Sequence, residues 1–523
     1  MNPQNRRTSR ITRGFPISIF LATFSGLLLV TVSPARAQFR ELVDRIPRTA
    51  NAVVLLNMEK AKQSAFGKRQ GWTANVETAF EAGIWRVPPQ ATHYVLATEL
   101  DFTSMQPAWE VAVGDLAQAV TSDQIIKFRG GIPDIIEKLP AVVRTNNVYI
   151  VQFSPTRVGA MGPANRQAVV RWIREVQGKS RRPLSPYLEQ AAGYSDDAGT
   201  EIIMAIDLDG VLQWERVAKY AAGKETLIIE GNSDVKTVTN LVAGIQGIRV
   251  GIRIGDAPSG RLTVDFAKEV KLPAPLAKRL LLTVLADNGM RISDFDEWNV
   301  TVKENTLSLD GTLSQSGLRL LLSIIDSPAA SESGSASDAA AASANSPSAV
   351  LAASRDHYKA VQSLLKDLKE SMKDLKSLSH SMVFFDKYAK KIENLPILSV
   401  DEELLAYSAW VARQVRDCAG AVRTMGIRGG AREAQTFGTL GPSSVAAFGA
   451  GAYGAYGGYG GAWGVRYTYD PLSDVKGTEA ARRVVRSEEK SIMASDVHTI
   501  RDQLLQASAD IRRKMTQKYQ VEF

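Results

Sequence analysis

A chain of 523 residues with 45% hydrophobic and 23% charged residues has the apolar content to build cores for two or three domains. The single cysteine, Cys418, excludes an intramolecular disulfide, so burial alone must hold the fold. The net charge of +8 is local in origin: five arginines and no acidic residue precede Gln38, which leaves +3 for the rest and argues against a nucleic-acid partner.

In chain order, Arg6, Arg7, Arg10 and Arg13 come first, then an apolar run from Phe15 to Val32, then Ala35-Arg36-Ala37. A basic stretch, an apolar stretch and an A-x-A site in that order predict a secretory signal peptide over 1–37. Cleavage after Ala37 places the protein in the periplasm or at the cell surface. Retention as an anchor is the alternative, because the apolar run is near the shortest that spans a bilayer.

Residues 38–326 alternate strand-like and helix-like runs. The strand evidence is strongest where Ile248, Val250, Ile252 and Ile254 alternate with Arg249, Gly251 and Arg253, and where Leu262, Val264 and Phe266 alternate with Arg261, Thr263 and Asp265 after a Gly/Pro/Asp turn. Period two on both sides of a turn predicts an antiparallel hairpin with one buried face. The first half reads as a strand over 53–58, a helix over 72–80, a hairpin over 93–116, a helix from Ser122, a hairpin over 142–153 and a helix over 163–176. The second half repeats that order, with a strand over 202–207, helical segments over 211–220 and 235–245, hairpins over 248–266 and 298–309, and helices over 275–285 and 314–325. The repeat predicts a duplicated α+β domain of antiparallel sheet and helices, with halves at about 40–180 and 195–326.

The Ala/Ser-rich stretch 327–352 cannot bury enough apolar surface to offset its ordering entropy, and is expected to be a disordered linker. Beyond it, Tyr358, Val361, Leu365, Leu368, Met372, Leu375 and Met382 form a heptad seam. Ser399 with Glu402 reads as a capping box that opens a second helix, whose seam is Leu404, Val411, Val415, Cys418, Val422 and Met425. Together they predict a long helical hairpin over 353–428. A Gly/Tyr-rich flexible loop is expected over 429–470, and a C-terminal helix over 471–523, with Met493, Val497, Ile500, Leu504, Ile511 and Met515 on one face, completes an antiparallel coiled-coil bundle. Self-association through helices 353–395 and 479–517 is the competing use of the seams.

Motifs that carry chemistry are sparse. His93, His357, His380 and His498 are the four histidines, and none has a neighbour at ligand-like spacing. No catalytic residue, metal ligand or cofactor-binding residue is assigned, and no cofactor is expected. Asp207-Leu208-Asp209-Gly210 reads as a turn that ends a strand. Lys366, Lys369, Lys373 and Lys376, interleaved with acids, read as a solvated helix face. Gly449, Gly451 and Gly454 match a dinucleotide fingerprint by letters, but the preceding "SSVAAF" is a weak strand at best and no helix can start after them. The segment instead offers Tyr453, Tyr456, Tyr459 and Trp463 as an aromatic contact surface.

The stretches "WNVTVKENTLSLDGTLSQSGLRLLLSIID" and "FFDKYAKKIENLPILSVDEELLAYSAWVA" resemble the large exported proteins of planctomycete-type bacteria. The resemblance implies a bacterial source and an envelope location, and brings no activity with it. The expectation is an exported, non-enzymatic binding or scaffolding protein whose partner is a protein or an envelope component. The alternatives are a carrier of an apolar, lipid-like ligand in the α+β domain and an envelope hydrolase with a site assembled from distant residues.

Overall fold

The computed structural model describes residues 38–81, 85, 87–102, 106–144, 147–178, 184–198, 200–325, 347–371, 382–397, 399–435, 495 and 499–523. The expected signal peptide and residues 436–470 of the expected Gly/Tyr-rich loop, with Tyr453, Tyr456, Tyr459 and Trp463, lie outside them, as do Met372, Lys373, Leu375, Lys376, His380, Met493, Val497 and His498. Residues 429–435 are helical, so the expected boundary at 428 is corrected to the end of helix Glu402–Gln435.

The alternating runs form twelve strands: β1 (Ala52–Asn57), β2 (Ala91–Asp101), β3 (Gln106–Leu116), β4 (Ile132–Ile136), β5 (Leu139–Arg144), β6 (Val148–Ser154), β7 (Arg157–Gly162), β8 (Ile202–Asp207), β9 (Ile245–Arg253), β10 (Ser259–Phe266), β11 (Asn299–Lys303) and β12 (Thr306–Thr312). They join in one antiparallel sheet of order β11-β12-β10-β9-β8-β1-β2-β3-β7-β6-β5-β4. The expected hairpins are all present. Sequence reading missed β4 and β7, and it missed helix Pro186–Ala198.

The duplication is written in the pairing register. β1 and β8 pair at the middle of the sheet with Val54 opposite Met204, and Ala52 and Leu56 opposite Ile206 and Ile202. Each residue of β1 therefore faces the counterpart, 150 positions on, of a residue of β1 itself. That pattern defines a pseudo-two-fold axis through Val54 and Met204, perpendicular to the sheet. The pairing outward matches as well. Val95 opposite Val113, and Val113 opposite Gly159, in the first half become Arg249 opposite Thr263, and Thr263 opposite Ser308, in the second. The β4–β5 hairpin extends the first half alone.

Helices cover the two faces unequally. On the face that carries Val53, Leu55 and Ile203, helices Gln38–Val43, Arg166–Gln177 and Pro186–Ala198 bury Phe39, Leu42, Trp172, Ile173 and Leu188 against the first half. On the Leu56 face, helices Trp214–Ala222, Val235–Val242, Ala274–Asp287 and Gln315–Ser323 build the larger core around Ile252, Leu262, Leu276, Leu309 and Leu318. Helix starts follow side-chain caps: Asn165 accepts the Ala168 N–H, Asp234 the Thr237 N–H and Ser314 the Gly317 N–H. The sheet pairing is symmetric; the helix packing is not. Arg166–Gln177 follows β7 and Gln315–Ser323 follows the equivalent β12, yet they lie on opposite faces.

Helices Pro347–Ser371, Met382–Glu393, Glu402–Gln435 and 499–519 form the bundle. Tyr358, Val361, Leu364, Leu368, Val411, Val415, Cys418, Ile511 and Met515 share its core, so within this chain the described parts of the seams bury one another. The first seam is rotated slightly from expectation: Leu364 is fully buried, and Leu365 packs at the margin. The expected linker end is corrected, because helix Pro347–Ser371 begins before residue 352. The capping box at Ser399 is corrected too. Ser399 takes a positive φ of 59° outside the helix, and Asp401 accepts the Glu403 N–H at 2.9 Å. A residue in the left-handed region cannot place its hydroxyl over the first turn, so the cap moves two residues on. The bundle is also docked on the sheet domain. Phe384 sits in the sheet domain's core, and Arg319 meets Asp367 at 3.3 Å.

Candidate functional site, the open face of the second half-sheet

In the first half, the Val53 face of the sheet is core: Val95, Val111, Val113 and Val151 are fully buried, with Met161 and Tyr149 nearly so. The pairing register assigns each a counterpart. Arg249 stands where Val95 does, Arg261 where Val111 does, Thr263 where Val113 does, Thr301 where Val151 does, Asp310 where Met161 does and Asn299 where Tyr149 does. Gly159, which admits the Trp172 indole, is matched by Ser308. One face of a duplicated unit carries guanidinium, carboxylate, hydroxyl and amide groups where its counterpart carries a core.

The cause lies in the alternation itself. Leu262, Val264 and Phe266 point into the larger core, which forces Arg261, Thr263 and Asp265 onto the other face. With Gln315–Ser323 packed on the Leu56 face, no helix among the described residues lies over β10, β12 and β11 on this side. Helix Pro186–Ala198 forms one wall, packing across β8 onto β9 and presenting Tyr187 and Tyr194.

Within this face the charged groups are held in place. The Asp265 carboxylate accepts the Tyr187 hydroxyl at 2.9 Å, the Arg249 guanidinium at 3.1 Å and the Thr306 hydroxyl at 3.2 Å. Arg249 lies between two rings, with its guanidinium carbon 5.8 Å from the Tyr187 centroid and 5.4 Å from that of Tyr194. Burial, with the Asp265 carboxylate beside it, pushes the Tyr187 hydroxyl up in pKa, so it stays a neutral donor. Arg261 is held loosely, 3.8 Å from Asp310, with 55% of its side chain exposed. Thr263 and Ser308 place their hydroxyl oxygens 3.5 Å apart. Two depressions, of about 180 and 360 Å³, adjoin along the face and share Thr306 and Ser308. One takes in Tyr194, Arg249, Gly251 and Arg261, and the other Thr301 and Lys303.

The residues singled out in the sequence lie elsewhere. His93 is buried at the start of β2 against Phe39, their ring centroids 5.2 Å apart. His357 is buried in the bundle. Asp207 accepts the Asp209 N–H at 3.0 Å in a strand-ending turn closed by Gly210. Lys366 and Lys369 lie on the exposed side of their helix. The polar face was missed as a site, although its signal was present: arginines and hydroxyls filled the solvent phase of the clearest hairpin in the chain.

No family model matches the chain, and no curated protein does. Crystal structures of TP0453 are similar to it over part of its length. Crystal form III is 13% identical and covers 54% of this chain and 98% of that one, with a TM-score of 0.34. Crystal form I is 11% identical, covering 53% and 94%, with a TM-score of 0.32. Crystal form IV is 10% identical, covering 53% and 96%, with a TM-score of 0.29.

Proposed function

We propose that the protein is an exported, non-enzymatic binding protein of the bacterial cell envelope, and that it holds an envelope component against the open face of its second half-sheet. One observation carries the reading. Positions that are fully buried valines in the first half are Arg249, Arg261, Thr263 and Thr301 in the second, on a face with one helical wall among the described residues. Surface alone does not ask for a half-buried carboxylate that fixes an arginine between two tyrosines; a binding face does. The face is lined by hydroxyl and charged groups, where a carrier of an apolar ligand needs Leu, Ile and Val. The segment ending at Ala37 supports export, and the resemblance to exported planctomycete-type proteins supports the envelope.

The test is cosedimentation of the chain with isolated envelope fragments. Arg261→Glu is expected to abolish the association and Arg279→Glu to leave it intact. Arg279 is matched to Arg261 at 55% exposure, in helix Ala274–Asp287 on the opposite side of the sheet. Equal sedimentation of both variants and the parent chain would sink the reading.

A further inference from the structure

The open face contains a fork. Arg249 and Arg261 lie on neighbouring antiparallel strands, Arg249 opposite Thr263 and Arg261 opposite Gly251. They are diagonal neighbours, with Cα atoms roughly 7–8 Å apart, and Gly251 stands between them, two residues from Arg249 and across from Arg261. A Cβ built at Gly251 would meet only the Thr200 methyl carbon at 3.5 Å and Tyr194 Cε1 at 3.9 Å. The glycine therefore leaves open space on the face between the two arginine positions. One of the two guanidinium groups is pre-set by Asp265 and the tyrosines. The other has exposed N–H donors, since a single 3.8 Å approach to Asp310 leaves most of its hydrogen-bonding capacity unused.

We infer that the Arg249–Gly251–Arg261 fork is a carboxylate-binding subsite and that the ligand of the open face is an acidic polysaccharide, a chain of uronic-acid sugars. The inference rests on the open face being the binding surface. Three chemistries of the open face meet in that ligand. A sugar carboxylate matches the planar donors of arginine in two-point fashion. Ring hydroxyls match the half-buried Ser308 and Thr301, which continue from the fork across β12 and β11 beyond the buried Thr263. The apolar C–H face of a sugar ring matches the Tyr194 ring, which closes one end of the depression. The two adjoining depressions cross β9, β10, β12 and β11, a width of roughly 15 Å at the usual strand spacing, which suits a run of several sugars more than a single small anion. A polyphosphate would engage the guanidinium groups and leave the tyrosine and the hydroxyl row without a role.

The experiment is affinity electrophoresis of the full chain through gels holding polygalacturonate, a neutral glucan or polyphosphate, with thermal melting as a check on folding. Polygalacturonate is expected to retard the chain strongly. Gly251→Val, which fills that space at a position with room for it, and Arg261→Glu are each expected to weaken the retardation at least tenfold without lowering the melting temperature. Arg279→Glu is expected to behave as the parent. Retardation by the neutral glucan equal to that by polygalacturonate, a stronger response to polyphosphate, or an undiminished response from a folded Gly251→Val chain would each overturn the inference. If no polymer retards the chain while Arg261→Glu still loses envelope fragments, the acidic glycan is wrong and the open face stands. If neither assay responds to Arg261→Glu, both are wrong.

Discussion

Asn51 and Glu201 stand 150 residues apart, in equivalent places beside the pseudo-two-fold axis, and each ties down the far end of the next strand with a different functional group. The Asn51 carboxamide donates to the Leu100 carbonyl at 2.8 Å and accepts the Leu100 N–H at 2.7 Å. The Glu201 carboxylate accepts the Ile254 N–H at 3.0 Å. Their main-chain carbonyls are used alike: that of Asn51 accepts the Asp207 N–H, and that of Glu201 accepts the Asn57 N–H, both at 2.8 Å. A task set by the backbone has survived a change of side chain, because either group carries an oxygen that can accept from the strand.

Glu201 is 3% exposed, so removing its acceptor leaves a buried N–H without a partner. Glu201→Ala is expected to destabilise the fold by about 1–3 kcal/mol. Glu201→Gln keeps a carbonyl oxygen and should cost clearly less, since the 3.5 Å approach of the half-exposed Lys60 contributes little. Urea unfolding of the two variants decides this, and equal losses would show that the carboxylate charge matters rather than the strand contact.

Glycines on the two faces of the second half-sheet are expected to respond oppositely to a methyl group. A Cβ at Gly311 would fall 2.5 Å from the Trp298 ring, and one at Gly260 would fall 2.4 Å from it. Trp298 cannot give way, for it is 2% exposed, packs against Phe295 and donates to the Thr312 carbonyl at 2.8 Å. Gly311→Ala should therefore cost about 1–3 kcal/mol by overpacking. Gly251→Ala, on the open face, should leave stability unchanged or raise it by a few tenths, since glycine is a poor strand residue. Denaturant midpoints of the pair check both signs.

Phe384 joins two parts of the chain that the sequence separates by an Ala/Ser-rich stretch. Its helix belongs to the bundle, its ring is fully buried in the sheet domain's core, and Met382 approaches Gly289 beside it. Phe384→Ala is expected to cost about 3–5 kcal/mol. It should also convert one cooperative melting transition into two, as the bundle comes free. A single transition shifted as a whole would mean that the docking does not depend on this ring.

Much of this architecture was legible from period alone. Ile248, Val250 and Ile252 announced a half-buried strand, and Leu404, Val411 and Val415 a helix seam, because a buried stripe leaves its spacing in the sequence whatever it packs against. β4 and β7 were not legible. Pro133 and the short run Ile132–Ile136 look like a loop, and Arg157–Gly162 carries two glycines that weaken a strand signal until the neighbouring strands supply the hydrogen bonds. The docking of Phe384 was invisible for another reason, since an aromatic on a seam reads the same whichever core receives it. The candidate site was half legible: Arg249, Thr263 and Arg261 were visibly on the polar phase. That the helix after β12 packs on the Leu56 face and leaves them open is a tertiary fact. Local propensity does not encode it.

Acid is expected to loosen the bundle in two steps with different causes. His357 is 4% exposed, its Nδ1 lies 2.9 Å from the Pro396 carbonyl oxygen, and its Nε2 meets no partner among the described residues. Burial lowers its pKa, and the Pro396 carbonyl offsets this only in part. The folded bundle thus holds His357 neutral while the unfolded chain takes up a proton near pH 6.5. Stability conferred by the neutral ring is complete above that value and declines as pH falls below it toward the lowered folded pKa. The second step belongs to the clamp between the start of helix Glu402–Gln435 and the C-terminal helix. There Lys518 lies 2.7 Å from the Asp401 carboxylate, Tyr519 donates to it at 2.6 Å, and Lys514 pairs with Glu403. Burial alone would raise Asp401, but the Lys518 ammonium, the Tyr519 hydroxyl and the Glu403 N–H together hold its pKa below the usual carboxylate range; Glu403 is lowered chiefly by Lys514. Their contribution is present above the ordinary carboxylate pKa of about 4 and is lost only as pH falls through the lowered folded values. Hydrogen exchange read separately on Pro347–Ser371 and on 499–519 distinguishes the steps and sets aside His93, which titrates in the sheet domain. His357→Phe should flatten the response of Pro347–Ser371 between pH 7 and 5 and leave the later release of 499–519 in place. Asp401→Asn should release 499–519 already at neutral pH. If His357→Phe retains the parent slope between pH 7 and 5, the first step has another origin.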